Sequence, residues 1–267
     1  MEVRSTPQVT YAVGDIHGRF DLLQLAIEAM LVHGRGRRRR IVFLGDYVDR
    51  GPQSRAVIER LIALQAVEDA ICLKGNHEDL MVRALTEPGR SPLNHWRVNG
   101  GDETLASYGV SAGEEPASIV PRRHVAWMAG LPLTTADEHR IYVHAGLAPG
   151  VAFRDQSEEV CLWIRESFLR ARASQFEAHV VHGHTPYWSG KPDPSRPELL
   201  SHRTNLDTGA FATGILTIGV FDPAIGGGPV ELLTAKGVAA NPRPAASAQA
   251  LRRVVRRATD ARPTSPH

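Results

Sequence analysis

The chain has 267 residues, 42% of them apolar and 22% charged, with a formal net charge of +2. That length can bury one large core or two smaller ones, and the near-neutral balance points to neither nucleic acid nor a membrane as partner. The apolar runs fall short of the roughly 18–20 residues of a membrane span and the first residues lack a signal-peptide core, so a cytoplasmic enzyme or binding protein is expected.

Along the first third, the apolar, β-branched runs "VTYAVGD", "RRIVFLGD" and "DAICLKGN" each end in Gly-Asp or Gly-Asn. Between them "DLLQLAIEAML" and "SRAVIERLIALQ" space their apolar residues three to four apart, the period of a helix with one buried face. This is a β-α-β-α-β beginning in which every strand discharges into a polar loop at its C-terminal end. The basic run Arg35–Arg40 reads as a solvated turn, with a docking patch for an acidic partner as the alternative. From about His77 to Gly130 the pattern is helical and loop-like, an insertion expected to wall one side of a site. Strands then return at "RIYVHAGL", "AHVVHGHT", "ILTIGVFD" and "PVELLTA", with one helix over "SEEVCLWIRESFLRARA". The expected fold class is α/β, α+β in some schemes, with two sheets flanked by helices in one catalytic domain over residues 1–239. Residues 240–267 form a Pro- and Arg-rich tail in which Leu251, Val254, Val255 and Ala258 could share one face of a short helix. Cys72 and Cys161 lack a CxxC spacing or a neighbouring base and are expected to be buried structural thiols.

The strand ends carry the chemistry. "GDIHG" (14–18), "GDYVDRG" (45–51) and "GNHE" (75–78) present Asp15, His17, Asp46 and Asn76 on glycine-bearing loops, and "VHAGL" (143–147) and "VHGHTP" (181–186) add histidines. A single Gly-Asp pair is a common turn. Five such loops at corresponding strand ends mark the place where an open α/β sheet builds its ligand crevice. Oxygen and imidazole ligands without thiolate suit Mn²⁺, Zn²⁺ or Fe. Six or more ligands exceed the need of one open-sided ion, so two divalent ions roughly 3.5–4 Å apart are the economical reading. Ions that close need a bridging carboxylate, and Asp46 is central among the motifs.

In order and approximate spacing these five motifs resemble the signature of the calcineurin-like metallophosphoesterases, and "GDxVDRG" with "GNHE" resembles their phosphoprotein phosphatase branch. "NGGDETLASYG", "LWIRESFL" and "NLDTGA" look like its bacterial and phage-type members, which include small protein phosphatases and diadenosine tetraphosphate hydrolases. The resemblance covers roughly Val9 to Thr185 and implies a central β-sandwich of two mixed sheets with metals at one edge. It implies Asp15 and His17 on the first metal, Asp46 as bridge, and Asn76, His144 and His184 on the second. A metal-bridging hydroxide would attack phosphorus directly. His77 would then protonate the leaving oxygen, held by Asp49, while Arg50, Asn76 and Arg165 bind the phosphate. For Arg165 a surface helical arginine paired with a carboxylate stays the alternative.

Other polar residues are read more modestly. Glu78 is expected to support its loop, His182 to pack behind the site, and Asp207 to sit in a turn beside it. His95, with Trp96, either lines the substrate groove or packs in a helix. Pro186 stands where phosphodiesterase relatives carry another histidine, which favours a phosphomonoesterase. The function expected first is a phosphoserine/phosphothreonine protein phosphatase using two ions, Mn²⁺ foremost. The alternative is a dinucleoside polyphosphate or nucleotide hydrolase, and the distant one a catalytically silent phosphate-binding module. The partner is thus a phosphorylated protein or small phosphate ester, with no membrane or nucleic acid, and the sequence leaves the oligomeric state open.

Overall fold

The computed structural model of the chain describes residues 8–186 and 195–239; the expected tail helix lies outside them. The first sheet begins with β1 (Val9–Val13), α1 (Phe20–His33), β2 (Arg39–Phe43), α2 (Ser54–Gln65) and β3 (Ala70–Cys72). A helical wall follows: α3 (Asn76–Thr86), α4 (Arg90–Trp96), a π-turn over Arg97–Gly101, α5 (Asp102–Tyr108), α6 (Pro116–Ile119) and α7 (Arg122–Ala129). The second sheet is entered through β4 (Thr134–Ala136) and β5 (Arg140–Val143). Next come α8 (Glu158–Trp163), α9 (Glu166–Leu169), β6 (His179–His182), β7 (Glu198–Leu199) and β8 (Arg203–Asn205). Finally α10 (Ala210–Thr213), β9 (Ile215–Phe221) and β10 (Glu231–Lys236) return the chain to the first sheet.

The strand orders are β10-β9-β1-β2-β3 and β4-β5-β6-β8-β7. In the first sheet β1, β2 and β3 are parallel, and β9 and β10 antiparallel. In the second β5, β6 and β8 are parallel, with β4 and β7 antiparallel on the edges. Both sheets are mixed and flanked by helices, as the motifs implied.

Strand periodicity explains how the layers close. Along β1, Val9, Tyr11 and Val13 pack under the buried stripe of α1, formed by Leu22, Leu23, Ala26, Ile27 and Met30. Ala12 faces the other way, joining Val42, Leu44, Tyr142, Val181 and Phe221 between the sheets. The second sheet repeats this: Ile141, Val143 and Val180 turn to Phe168 and Leu169, while Tyr142 and Val181 turn inward. Strands covered on both faces need continuous apolar runs, which is why these segments lack the alternation of a half-exposed sheet. The short β4, β7 and β8 lack such runs and leave almost no pattern in the sequence.

The sandwich places the C-terminal ends of both parallel triplets along one edge, where all five motif loops meet. Close approach is enforced at Gly183, where a Cβ would collide with the Asp15 carboxylate, and at Gly75, where it would collide with the backbone nitrogen and carboxylate of Asp46. The two cysteines are buried and unpaired, as expected. In the arginine run, Arg39 pairs with Glu68 and Arg40 with Asp69, at 2.7 and 3.1 Å.

Candidate active site

Glu78 ties the loops after β2 and β3 together. From the first turn of α3 its carboxylate accepts backbone N–H groups of Asp46 and Tyr47 at 2.8 Å, Gly75 at 2.9 Å and Val48 at 3.3 Å. The loop after β1 joins through His17 N–H to Asp46 O at 2.9 Å and Gly18 N–H to Tyr47 O at 2.8 Å. Burial beside Asp46 pushes the Glu78 carboxyl up to about 8.

Within this frame two ligand groups share one carboxylate. His17, Asp46 and His77 form one, and Asp46, His144 and His184 the other, with the ligand atoms of each group within 4.8 Å of one another. The two Asp46 oxygens divide between them: Oδ2 lies 3.5 Å from His17 Nε2, and Oδ1 3.4 Å from His144 Nε2. Asn76 Oδ1 is 2.9 Å from both His144 Nε2 and His184 Nδ1, which are 3.1 Å apart. His17 Nδ1 donates to Val48 O at 2.8 Å and His144 Nδ1 to Leu44 O at 2.9 Å. Those bonds fix the tautomers so that both Nε2 lone pairs face inward.

Electrostatics agree with a ligand set. Burial holds His17, His144 and His184 below the usual histidine range, aided at His17 by Arg50 and at His184 by His144. Burial also opposes charge on Asp46, but His144, His77, His17 and His184 outweigh it and hold that carboxyl well below its usual range. The two directions are compatible, because the imidazoles charge only on the acid side, where they keep Asp46 ionised. Neutral imidazoles around an anionic carboxylate, with no thiolate, fit divalent cations. His184 Nε2 is buried without a partner.

Asp15 stands on the third side, outside both ligand groups. Both its oxygens accept the His184 backbone N–H, at 3.2 and 3.1 Å, and burial beside Asp207 and Asp46 raises its carboxyl well above the usual range. Asp207 sits in the turn after β8, its Oδ1 accepting Gly209 N–H at 2.9 Å, with burial raising it to about 6. His182 lies behind the site, Nδ1 bonded to Gly183 O at 3.0 Å and Nε2 3.2 Å from Arg203.

His77 and Asp49 are anchored more heavily than their motifs show. His77 Nδ1 donates to Asp49 Oδ2 at 2.7 Å. Asp49 also accepts from Trp96 Nε1 at 2.9 and 3.0 Å and from Thr104 Oγ1 at 2.7 Å, and burial raises its carboxyl. Trp96 is therefore fully buried and lines no groove, whereas its neighbour His95 is exposed and does. Nothing in residue spacing distinguishes an indole that supports a carboxylate from one that fills a core; the π-turn between α4 and α5 brings Trp96 and Thr104 to the same carboxylate.

Arg50 reaches across the centre. Its guanidinium lies 2.7 Å from His17 Nε2 and 2.9 Å from His77 Nε2, and rests on the Phe211 ring at 5.1 Å. Arg165 arrives by a route the sequence did not suggest. The single helix expected over "SEEVCLWIRESFLRARA" is broken between α8 and α9, Arg165 taking φ −133° and ψ −96°. The break turns the guanidinium inward to Thr185 Oγ1 at 2.7 Å and His184 O at 3.2 Å, and burial lowers its pKa. Continuing the helix would keep Arg165 on the helix surface, the alternative its motif had left open.

Among the described residues no helix is long and apolar enough to cross a membrane. A family model described as calcineurin-like phosphoesterase matches residues 9–211. The bis(5'-nucleosyl)-tetraphosphatase PrpE [asymmetrical] of Anoxybacillus flavithermus is 27% identical over 229 residues, covering 77% of this chain and 87% of that protein. A crystal structure ascribed to a diadenosine tetraphosphatase is 20% identical, with a TM-score of 0.59 over 88% of this chain and 96% of its own. A serine/threonine phosphatase structure from Saccharomyces cerevisiae is 18% identical, with a TM-score of 0.52 over 88% of this chain and 82% of its own. With the family model spanning both sheets up to α10, the chain belongs to the calcineurin-like phosphoesterases.

Proposed function

We propose that the chain hydrolyses dinucleoside polyphosphates of the diadenosine tetraphosphate type, with two divalent ions, Mn²⁺ foremost, held by His17, Asp46, Asn76, His144 and His184, and with Asp15 at their side. The observation that supports this most is the likeness to bis(5'-nucleosyl)-tetraphosphatases along 87% of their length. This reverses the order of substrates expected from the motifs, which placed phosphoproteins first: the motifs specify the reacting centre, and that centre is common to both reactions. When bound, the ions would lower the pKa of water and offset charge on the phosphoryl oxygens.

The chain's own residues do the rest. Asp49 accepts the Nδ1 proton of His77 and thereby fixes Nε2 as the atom facing the site. A proton held at Nε2 passes to the leaving phosphate oxygen as the anhydride bond breaks, a contribution of about 10²–10⁴ in rate. Arg50 and Arg165 supply guanidinium donors to phosphate oxygens, and Thr185 and Phe211 hold them in place.

The test is a comparison of kcat/KM for diadenosine tetraphosphate, a phosphoserine peptide and a mononucleotide with Mn²⁺. A preference of at least about 100-fold for the dinucleotide, about 2.7 kcal/mol of transition-state discrimination, is expected. A preference of that size for the phosphopeptide would restore the protein phosphatase reading.

A further inference from the structure

A groove of ≈ 680 Å³ opens beside the centre, between α3 and α8. Leu162 and Trp163 of the "LWIRESFL" phrase line it, and no candidate metal ligand does. Its link to the site is Trp163, the last residue of α8, 36% exposed and lining the groove while its ring stands edge-on to the candidate ligand His184, centroids 6.2 Å apart and planes at 87°. Leu80 and Leu162, both almost fully buried, supply apolar surface beside it.

The rim is acidic. Asp79, Glu87, Glu158 and Glu159 line it against one guanidinium, Arg83, which is already bonded to Glu87 at 2.8 Å. Lys74, behind Glu158, is similarly occupied at 3.3 Å. With divalent ions bound the centre would be cationic beside Arg50 and Arg165, whereas the groove is carboxylate-rich.

We propose that this groove is the nucleoside half of the substrate site, taking a purine ribonucleoside stacked on Trp163; this rests on the dinucleotide reading above. A base stacks on an exposed aromatic face whatever its sequence context, because every base has a π-face. The carboxylates can accept the N–H donors of a purine edge, whereas a polyphosphate arm in the same place would meet like charge. The groove thus admits one nucleoside with a single phosphate at its mouth and turns the longer phosphate arm towards Arg50 and Arg165. The bond broken is then the anhydride beside that first phosphate: water oxygen joins its phosphorus and gives up a proton to solvent, the bond to the next bridging oxygen breaks, and that oxygen takes the proton from His77, which solvent reprotonates. The products are a nucleoside monophosphate and the remaining nucleotide.

The experiment uses the full chain with Mn²⁺ and measures competitive inhibition of para-nitrophenyl phosphate turnover by adenosine monophosphate, ribose 5-phosphate and inorganic phosphate. In the wild type the monophosphate should have a Ki at least about 10-fold below that of ribose 5-phosphate, which needs no variant to read. Trp163→Ala should bring the two constants together, and Trp163→Phe should keep most of the gap. Equal constants in the wild type, or a gap untouched by Trp163→Ala, would overturn the assignment. So would a basic phosphopeptide that binds more tightly than the nucleotide and loses that advantage in Trp163→Ala, because the acidic rim would then serve a peptide. If diadenosine tetraphosphate proves a poor substrate while the Trp163-dependent gap persists, the substrate reading falls and the groove assignment stands.

Discussion

Asp49 shows how much chemistry a single buried carboxylate can concentrate. One oxygen holds His77 and both receive the Trp96 indole, while Thr104 bonds to the side chain and to the Asp49 backbone N–H at 2.8 Å. Hydrogen bonds to a charged group contribute about 1.5–3 kcal/mol each. Trp96→Phe should therefore loosen the aim of His77, lowering kcat about 10-fold on phenyl phosphate, whose leaving group is poor, and less on para-nitrophenyl phosphate. Equal losses on both esters would reduce Trp96 to a packing residue. Glu78→Gln puts an amide donor among the four backbone N–H groups that converge on Glu78. A stability loss of about 1–3 kcal/mol in urea titration is expected. At this scale the sequence disclosed the titratable members of the site, since Asp, His and Arg in tight Gly-bearing loops carry a chemical reason for their spacing. It hid Trp96, Thr104, Thr185 and Phe211, which act on those residues from positions set by tertiary folding.

Two irregular elements aim the arginines. The π-turn over Arg97–Gly101 ends next to Arg50, whose backbone N–H donates to Gly100 O at 3.1 Å. Gly100 has φ +106°, and a Cβ there would meet the Arg50 backbone nitrogen and Cγ at 2.9 Å. Gly100→Ala should cost about 1–2 kcal/mol from the left-handed backbone alone and raise KM for phosphate esters several-fold by displacing Arg50, whereas Gly113→Ala, at φ +90° with open space around it, should leave KM unmoved. The other element is the interruption between α8 and α9, which the sequence conceals because "LWIRESFL" contains neither proline nor glycine. The break is held instead by the bonds of Arg165 to Thr185 and His184. Long elements with a strong period were legible, while two- and three-residue strands such as β7 and β8 were not, because they are defined by their neighbours' hydrogen bonds.

At the level of the molecule, the sandwich exists to bring six parallel strand ends to one edge, and its stability is expected to follow both metal and protons. Chelation should abolish turnover and lower the melting temperature, with both restored by Mn²⁺, because ions that bind only the folded chain stabilise it by mass action. Away from the centre, burial holds His124 and His179 below the ordinary 6.5. The unfolded chain takes up those protons near pH 6.5 and the folded chain does not, so their contribution to stability is full above that value and falls as the pH drops through it. Between pH 7.5 and 5.5 the urea midpoint of His124→Asn should fall less, or rise more, than that of the wild type, because the raised carboxyls of Glu78 and Asp207, which act in the opposite direction, are common to both. Among the described residues the non-glycine positions with positive φ are His17, Asp46, Asp49, Arg50 and His184. Each left-handed backbone of this kind costs about 1–3 kcal/mol, so this protein keeps its least comfortable conformations where its reaction is expected. Arg50→Gly should accordingly hold or raise the melting temperature while reducing kcat/KM at least about 100-fold. A laboratory selection that rewards only soluble yield or heat resistance would drift towards glycine at such positions and accumulate robust, inert proteins; directed evolution on this scaffold must therefore score turnover in every round.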